Sequence, residues 1–75
     1  MIDKKALGAV IKGKRKAMKK RQNEVSSETK LSRNYISDIE NGRYAPSIDA
    51  LSRLGVCLEL DLNMLKMTEI QVADK

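Results

Sequence analysis

The chain has 75 residues, a formal net charge of +5, one cysteine and no histidine. This length suits one small domain, and a lone cysteine without histidine excludes an internal disulfide and an ordinary zinc site. No apolar run approaches the length of a membrane span, and the first residues lack the apolar stretch of a secretory signal, so we expect a cytoplasmic protein.

Positive charge is concentrated at one end of the chain. Residues 1–21 carry nine Lys or Arg and one Asp, whereas residues 22–45 and 46–75 are each slightly negative. A concentrated basic surface attracts polyanions such as the phosphate backbone of a nucleic acid. Lysine-rich helices are also often simply solvated, so charge alone leaves both interpretations open.

The spacing of apolar residues predicts an all-α chain. From Leu7 to Met18 they recur at three- and four-residue steps, which predicts a first helix over about Lys4 to Lys19. A second, short helix is expected from Gln22 to about Thr29. A membrane-surface role for the basic first helix is disfavoured, because its apolar face has no aromatic anchor.

Two serines mark the next helix starts. Ser32 is expected to cap a third helix over Arg33–Asn41, and Gly42 ends it because glycine accepts the left-handed backbone conformation. Ser47 is expected to cap a fourth helix. We assign the inner face of this helix to Ile48, Leu51, Leu54 and Leu58.

The remaining residues complete the predicted domain. Leu62 and Leu65 indicate a short fifth helix, entered through Asp61 as its cap. We therefore expect one helix-turn-helix domain over residues 1–67. A C-terminal tail follows over residues 68–75 and is predicted to be a strand, a frayed end or a partner-binding segment.

Catalysis has little support in these residues. The chain offers no histidine as a base, no glycine-rich phosphate loop and no nucleophile elbow. We expect a binding protein rather than an enzyme, with no cofactor and no metal.

The two short helices on either side of the Thr29–Leu31 turn predict a helix-turn-helix. In that motif the second helix enters the major groove of double-stranded DNA. Arg33 can bond two acceptors of a guanine, and Asn34 can pair with an adenine. Asp38 either accepts from a cytosine amino group or orients a neighbouring arginine. The predicted base-reading residues are Arg33, Asn34, Ser37 and Asp38.

One stretch of the chain carries a family resemblance. Residues 31–47 read LSRNYISDIENGRYAPS and resemble the signature of the Cro and phage-repressor, or Xre-type, helix-turn-helix family. The similarity extends without gaps from Leu7 to Leu65. It implies a compact, five-helix, lambda-repressor-like DNA-binding domain. It also implies a sequence-specific transcriptional regulator, a repressor that binds a pseudo-palindromic operator as a homodimer.

The resemblance also gives roles to individual residues. Arg15 and Glu40 match an ion pair that braces the first helix against the third. We assign contacts with the DNA backbone to Gln22, Ser32, Tyr35, Asn41, Arg43 and Tyr44. The candidates for the dimer contact are Leu62, Met64, Leu65 and Met67, with closure of the core as the alternative role of Leu62 and Leu65.

Four positions depart from the family pattern. Lys14 and Lys20 stand where apolar residues are usual, Arg21 where Ser or Thr commonly caps the second helix, and Lys30 where glycine commonly makes the turn. We expect the extra lysines to add a backbone-binding surface, the second helix to begin less firmly, and the turn to be strained.

Two other functions stay open at this point. The chain is alternatively a protein-interaction module, such as an antitoxin-like or anti-repressor partner, acting through residues 68–75. A third possibility is a nonspecific nucleic-acid binder that uses the basic first helix.

Overall fold

The computed structural model describes residues 3–60. This part of the chain forms four α-helices: α1 (Lys4–Ala17), α2 (Gln22–Thr29), α3 (Arg33–Glu40) and α4 (Ile48–Leu58). Residues 3–60 contain no strand, so the predicted all-α class is confirmed there. The predicted fifth helix and tail, which include Asp61, Leu62 and Leu65, lie outside the described residues.

The predicted serine caps are confirmed. The Ser32 hydroxyl accepts from the Tyr35 amide at 3.0 Å, and the Ser47 hydroxyl accepts from the Ala50 amide at 3.1 Å. Each bond satisfies an amide that has no partner within the helix. After α3, Gly42 has φ = 77°, as its predicted role in ending the helix requires.

The first helix is shorter at its C-terminal end than the apolar spacing predicted. It ends at Ala17, with Met18 as its C-cap, and Lys19 follows in the left-handed region at φ = 58°. Similarly, Asn41 caps α3 rather than forming its last residue. Apolar spacing marks the face of a helix, but capping geometry decides where the helix stops.

The second helix has no capping side chain at its N-cap residue, Arg21. Arg21 offers no side-chain acceptor, but its own amide donates to Glu24 Oε1 at 2.7 Å. This bond is the reciprocal half of a capping box. The start of α2 is therefore fixed by Glu24, which compensates for the missing Ser or Thr.

The core lies between the four helices. Its buried apolar residues are Leu7, Ile11, Val25, Ile36, Ile39, Leu54 and Leu58. The assignment of Ile48 to the inner face of α4 was wrong, since this side chain is 81% exposed. With 3.6 residues per turn, Ile48 lies roughly 100° around the helix from the centre of the face formed by Leu54 and Leu58. It therefore faces away from the core.

Candidate nucleic-acid interface

Three hydrogen bonds fix the turn between α2 and α3. The Lys30 amide donates to the Ser26 carbonyl at 2.9 Å, and the Ser26 hydroxyl donates to the Leu31 carbonyl at 2.6 Å. The Leu31 amide donates to the Thr29 hydroxyl at 3.2 Å. Lys30 has φ = 66°, so lysine occupies the left-handed conformation that glycine adopts more readily. These bonds hold α3 in one orientation relative to α2.

The third helix buries one edge and presents another to solvent. Ile36 and Ile39 are 1% and 0% exposed and attach the helix to the core. Arg33 and Asn34 are exposed near its N-terminal end, and Ser37 is half-buried on the next turn. These polar side chains therefore stand on a helix whose position is set by apolar packing on its opposite face.

The fourth predicted base reader, Asp38, lies beside the loop that follows α3. Its Oδ1 is 2.9 Å from Nη1 of Arg43. The Arg43 side chain is 67% exposed, so the carboxylate holds a guanidinium that otherwise faces solvent. This geometry agrees with the alternative in which Asp38 orients an arginine.

Several residues assigned to the DNA backbone also bond within the protein. The Ser32 hydroxyl caps α3, and the Tyr35 hydroxyl accepts from the Ser47 amide at 3.1 Å. The Asn41 amide group lies 3.4 Å from the Ser37 hydroxyl. Tyr44 is 57% exposed on the loop after α3. Their contacts with DNA stay predictions. The structure places these four residues along α3 and the loop that follows it.

A polar network joins α1, α2 and α3 beneath the third helix. Nε and Nη2 of Arg15 donate to the two carboxylate oxygens of Glu40, at 2.7 and 3.0 Å. The exposed fractions of these side chains are 11% for Arg15 and 2% for Glu40. The bond to Glu40 raises the pKa of Arg15 above its ordinary value. Nη1 of Arg15 donates to the Lys20 carbonyl at 2.9 Å, which ties the end of α1 to the next loop.

Gln22 belongs to the same network. Its Nε2 donates to Glu40 Oε1 at 3.1 Å, so this amide helps to position α3. The second amide hydrogen remains to donate to a phosphate, and the side-chain carbonyl remains to accept from solvent. The predicted backbone contact of Gln22 is therefore compatible with a structural role that the sequence did not indicate.

The extra lysines have different surroundings. Lys14 is exposed, whereas Lys20 Nζ lies 2.7 Å from Glu28 Oε1 and donates to the Cys57 carbonyl at 3.3 Å. Glu28 also accepts from the Cys57 thiol at 3.0 Å. An apolar position can hold lysine because its stem packs while its ammonium finds a partner. Lys20 thus links the α1–α2 loop to α2 and α4.

Sequence reasoning missed two side chains that support the motif. The Asp3 carboxylate caps α1 by accepting from the amides of Lys5 and Ala6, both at 3.1 Å. Nη1 of Arg53 donates to the Thr29 carbonyl at 3.1 Å and places positive charge at the C-terminal end of α2. An acidic residue before the first apolar step was a signal for Asp3. The contact of Arg53 depends on how α4 packs against α2.

These features define the class of protein. A short, fixed turn joins two helices, and the second helix rests on apolar packing with a polar edge outward. The helix-turn-helix family model matches residues 11–65. The chain belongs to this family of DNA-binding transcriptional regulators, and the resemblance noted in its sequence is confirmed. The family is generally non-enzymatic.

Two relatives illustrate the similarity. The chain is 55% identical over 75 residues to the "ImmF control region 10 kDa protein" of Bacillus phage phi105, covering 100% of this chain and 83% of that protein. It is 34% identical over 62 residues to the "Transcriptional regulator ClgR" of Mycobacterium tuberculosis, covering 83% of this chain and 55% of the regulator. The chain thus spans about half the length of the second relative. Among the described residues, none of the helices is long and apolar enough to cross a membrane.

Proposed function

We propose that this regulator is a repressor that binds a pseudo-palindromic operator as a homodimer, with α3 in the major groove. The observation that carries the proposal is the polar edge of α3. Arg33 and Asn34 are exposed there, while the opposite edge is anchored by buried isoleucines. A rigid helix with this arrangement suits direct reading of base edges. The name of the phage relative, a control-region protein, supports a regulatory role.

Three side chains are proposed to read bases. Arg33 donates to a guanine through two guanidinium hydrogens, Asn34 pairs with the edge of an adenine, and Ser37 bonds to either. Asp38 is assigned the role of orienting Arg43, because these two side chains are 2.9 Å apart. Acceptance from a cytosine amino group is the other outcome that the experiment below distinguishes.

Backbone contacts are proposed for six residues around this edge. Their role is to set the register of the helix in the groove, since phosphate contacts position a protein without reading sequence. They are Gln22, Ser32, Tyr35, Asn41, Arg43 and Tyr44. The exposed guanidinium of Arg43 is the strongest of them, because an arginine can bond a phosphate through two donors.

The dimer follows from the size of the module. A single short domain covers little DNA, and such modules gain affinity by pairing at half-sites about one helical turn apart. The candidate contact residues lie outside the described residues; they are Leu62, Met64, Leu65 and Met67. The homodimer is therefore tested by measuring the molecular mass of the protein in solution. Sedimentation that finds a monomer both free and on operator DNA contradicts the dimer. A cytoplasmic location is part of the proposal, because the operator of a bacterium or phage lies there.

The base-reading proposal is tested by selection from a randomised duplex pool at two salt concentrations. Wild-type protein should recover an inverted repeat. Arg33→Ala should relax the preference at one position by about 1–3 kcal/mol. Arg43→Ala is the matched control on the neighbouring loop and should weaken all sequences about equally. If Asp38→Asn alters the recovered motif while Arg43→Ala does not, Asp38 reads a base.

Two outcomes would favour the other functions. Retention that follows salt and shows no motif indicates a nonspecific binder. Deletion of residues 68–75 that abolishes regulation and leaves DNA affinity unchanged indicates a protein-interaction module.

A further inference from the structure

Close backbone packing fixes the first two turns of α1 against the end of α3. Gly8 lies so near α3 that a Cβ on it would overlap the Ile39 carbonyl oxygen and lie 3.0 Å from that of Glu40. Gly42, on the following loop, packs on the stem of Lys5, where an added Cβ would be 2.7 Å from Lys5 Cγ. The start of α1 is therefore held beside the loop after α3.

This packing brings three cationic residues together. Lys4 Nζ lies 3.5 Å from the Arg43 carbonyl, and Lys5 extends along Gly42. Lys4, Lys5 and Arg43 are all exposed. An ammonium group has three donors, so Lys4 keeps two after its contact with Arg43. The cations come from two segments 39 residues apart in the chain, and only the fold places them side by side.

Two carboxylates lie near these cations. The Asp3 Oδ1 atom accepts from two amides at the start of α1, and Asp38 bonds the guanidinium of Arg43. Asp3 therefore bonds to the helix amides, and Asp38 bonds to one nitrogen of the Arg43 guanidinium. Lys4 and Lys5 themselves lie on an exposed turn of the helix.

We propose that Lys4 and Lys5 form, together with Arg43, a phosphate-binding surface that grips the DNA backbone next to the base-reading edge of α3. We call it the α1–loop surface. This inference rests on the proposed function, which places the loop after α3 against a phosphate. Any cation fixed beside that loop then faces the same strand of the backbone, and each phosphate neutralised adds to the salt dependence of binding.

Lys14 provides a matched control on the same helix, and the α1–loop surface replaces the earlier expectation that Lys14 adds to a backbone-binding surface. It is an exposed lysine like Lys5, but nine residues along an α-helix is a rotation of roughly 180°. Lys14 is rotated only roughly 80° from Lys4, but it lies about 15 Å farther along the helix axis, so it is remote from the α1–loop surface. A general attraction between DNA and a basic helix would involve both lysines, whereas the proposed surface involves only one.

The test measures binding of full-length protein to a duplex as a function of salt. The variants are Lys4→Gln/Lys5→Gln, Lys4→Gln alone and Lys14→Gln. Glutamine keeps the Cγ that meets Gly42, and Lys4→Gln leaves the Lys5 contact intact altogether. The slope of log affinity against log salt should fall in magnitude by about 1 for each lost phosphate contact, and Lys14→Gln should keep the wild-type slope. The selected motif should not change.

The outcomes separate this surface from the proposed function. If wild type selects a motif and all variants share its slope, the α1–loop surface is wrong and the function stands. If wild type selects no motif but the slope on arbitrary duplex falls only in the Lys4 and Lys5 variants, the surface stands and sequence-specific recognition is wrong. An equal fall in Lys14→Gln also overturns the proposal, because it indicates diffuse attraction to the whole helix.

Discussion

Alanine substitutions at two glycines of α1 should change stability in opposite directions. Gly13 has no atom within 4 Å of an added Cβ, so alanine there only removes the helix penalty of glycine. We expect Gly13→Ala to raise the free energy of unfolding by about 0.5–1 kcal/mol. At Gly8 the same gain is opposed by overlap with the Ile39 carbonyl oxygen and a 3.0 Å approach to that of Glu40.

The size of the Gly8 effect follows from what the new atom meets. Both obstacles are backbone, which cannot rotate away as a side chain can, so α1 must move from α3. Overpacking of this kind costs about 1–3 kcal/mol, and we take the upper end because backbone is involved. After the gain of about 1 kcal/mol from removing a helical glycine, Gly8→Ala should lower the free energy of unfolding by about 2 kcal/mol.

Urea unfolding followed by circular dichroism measures both variants under one set of conditions. The midpoints should move apart while the slope of free energy against urea stays at the wild-type value, which shows that the same surface unfolds. If Gly8→Ala is as stable as Gly13→Ala, α1 does not contact the end of α3 through its backbone. The position assigned to Lys4 and Lys5 beside Arg43 would then be wrong as well.

Three further predictions use other parts of the fold. In urea titrations, Arg15→Met and Glu40→Leu should each lower the free energy of unfolding by about 3–5 kcal/mol. The double variant should lower it by less than either single variant. Lys30→Gly should raise it by up to about 1 kcal/mol, and a decrease would contradict strain at this turn. Burial and the bond to Glu28 raise the pKa of the Cys57 thiol to about 11, so a disulfide reagent at pH 8 should react with native protein roughly tenfold more slowly than with urea-unfolded protein. Equal rates would show that folding does not raise the pKa of the Cys57 thiol.

Features decided by local sequence were predicted well. The caps at Ser32 and Ser47 and the end of α3 at Gly42 depend on a few neighbouring residues, and the structure has all three. Ile48 was assigned wrongly because a residue in the first turn of a helix can fit an apolar spacing while facing outside. Which side of that turn is covered depends on the packing of other helices.

Partners distant in the chain were harder to foresee. The tie between Lys20 and Glu28, and the donation from Lys20 to the Cys57 carbonyl, require α2 and α4 to lie beside the α1–α2 loop. Nothing in the sequence around Lys20 indicates either contact, and its charge alone favoured a role with DNA. Lys20 therefore has a structural role that the sequence did not indicate, and its contribution to a backbone-binding surface stays a prediction.

The polar residues of the motif fall into two groups: those that bond within the protein and those whose donors face solvent. Glu40 accepts from both Arg15 and Gln22 and is nearly inaccessible, so its carboxylate acts within the protein. Arg33 and Asn34 stand exposed on the same helix, where their donors face solvent. Residue type identified Arg33 and Asn34, and the family resemblance identified Arg15, Gln22 and Glu40. Burial separates the residues that hold α3 in place from those available to DNA. The buried network sets the angle at which the exposed pair meets a groove, so a change at Glu40 should alter recognition through the orientation of α3.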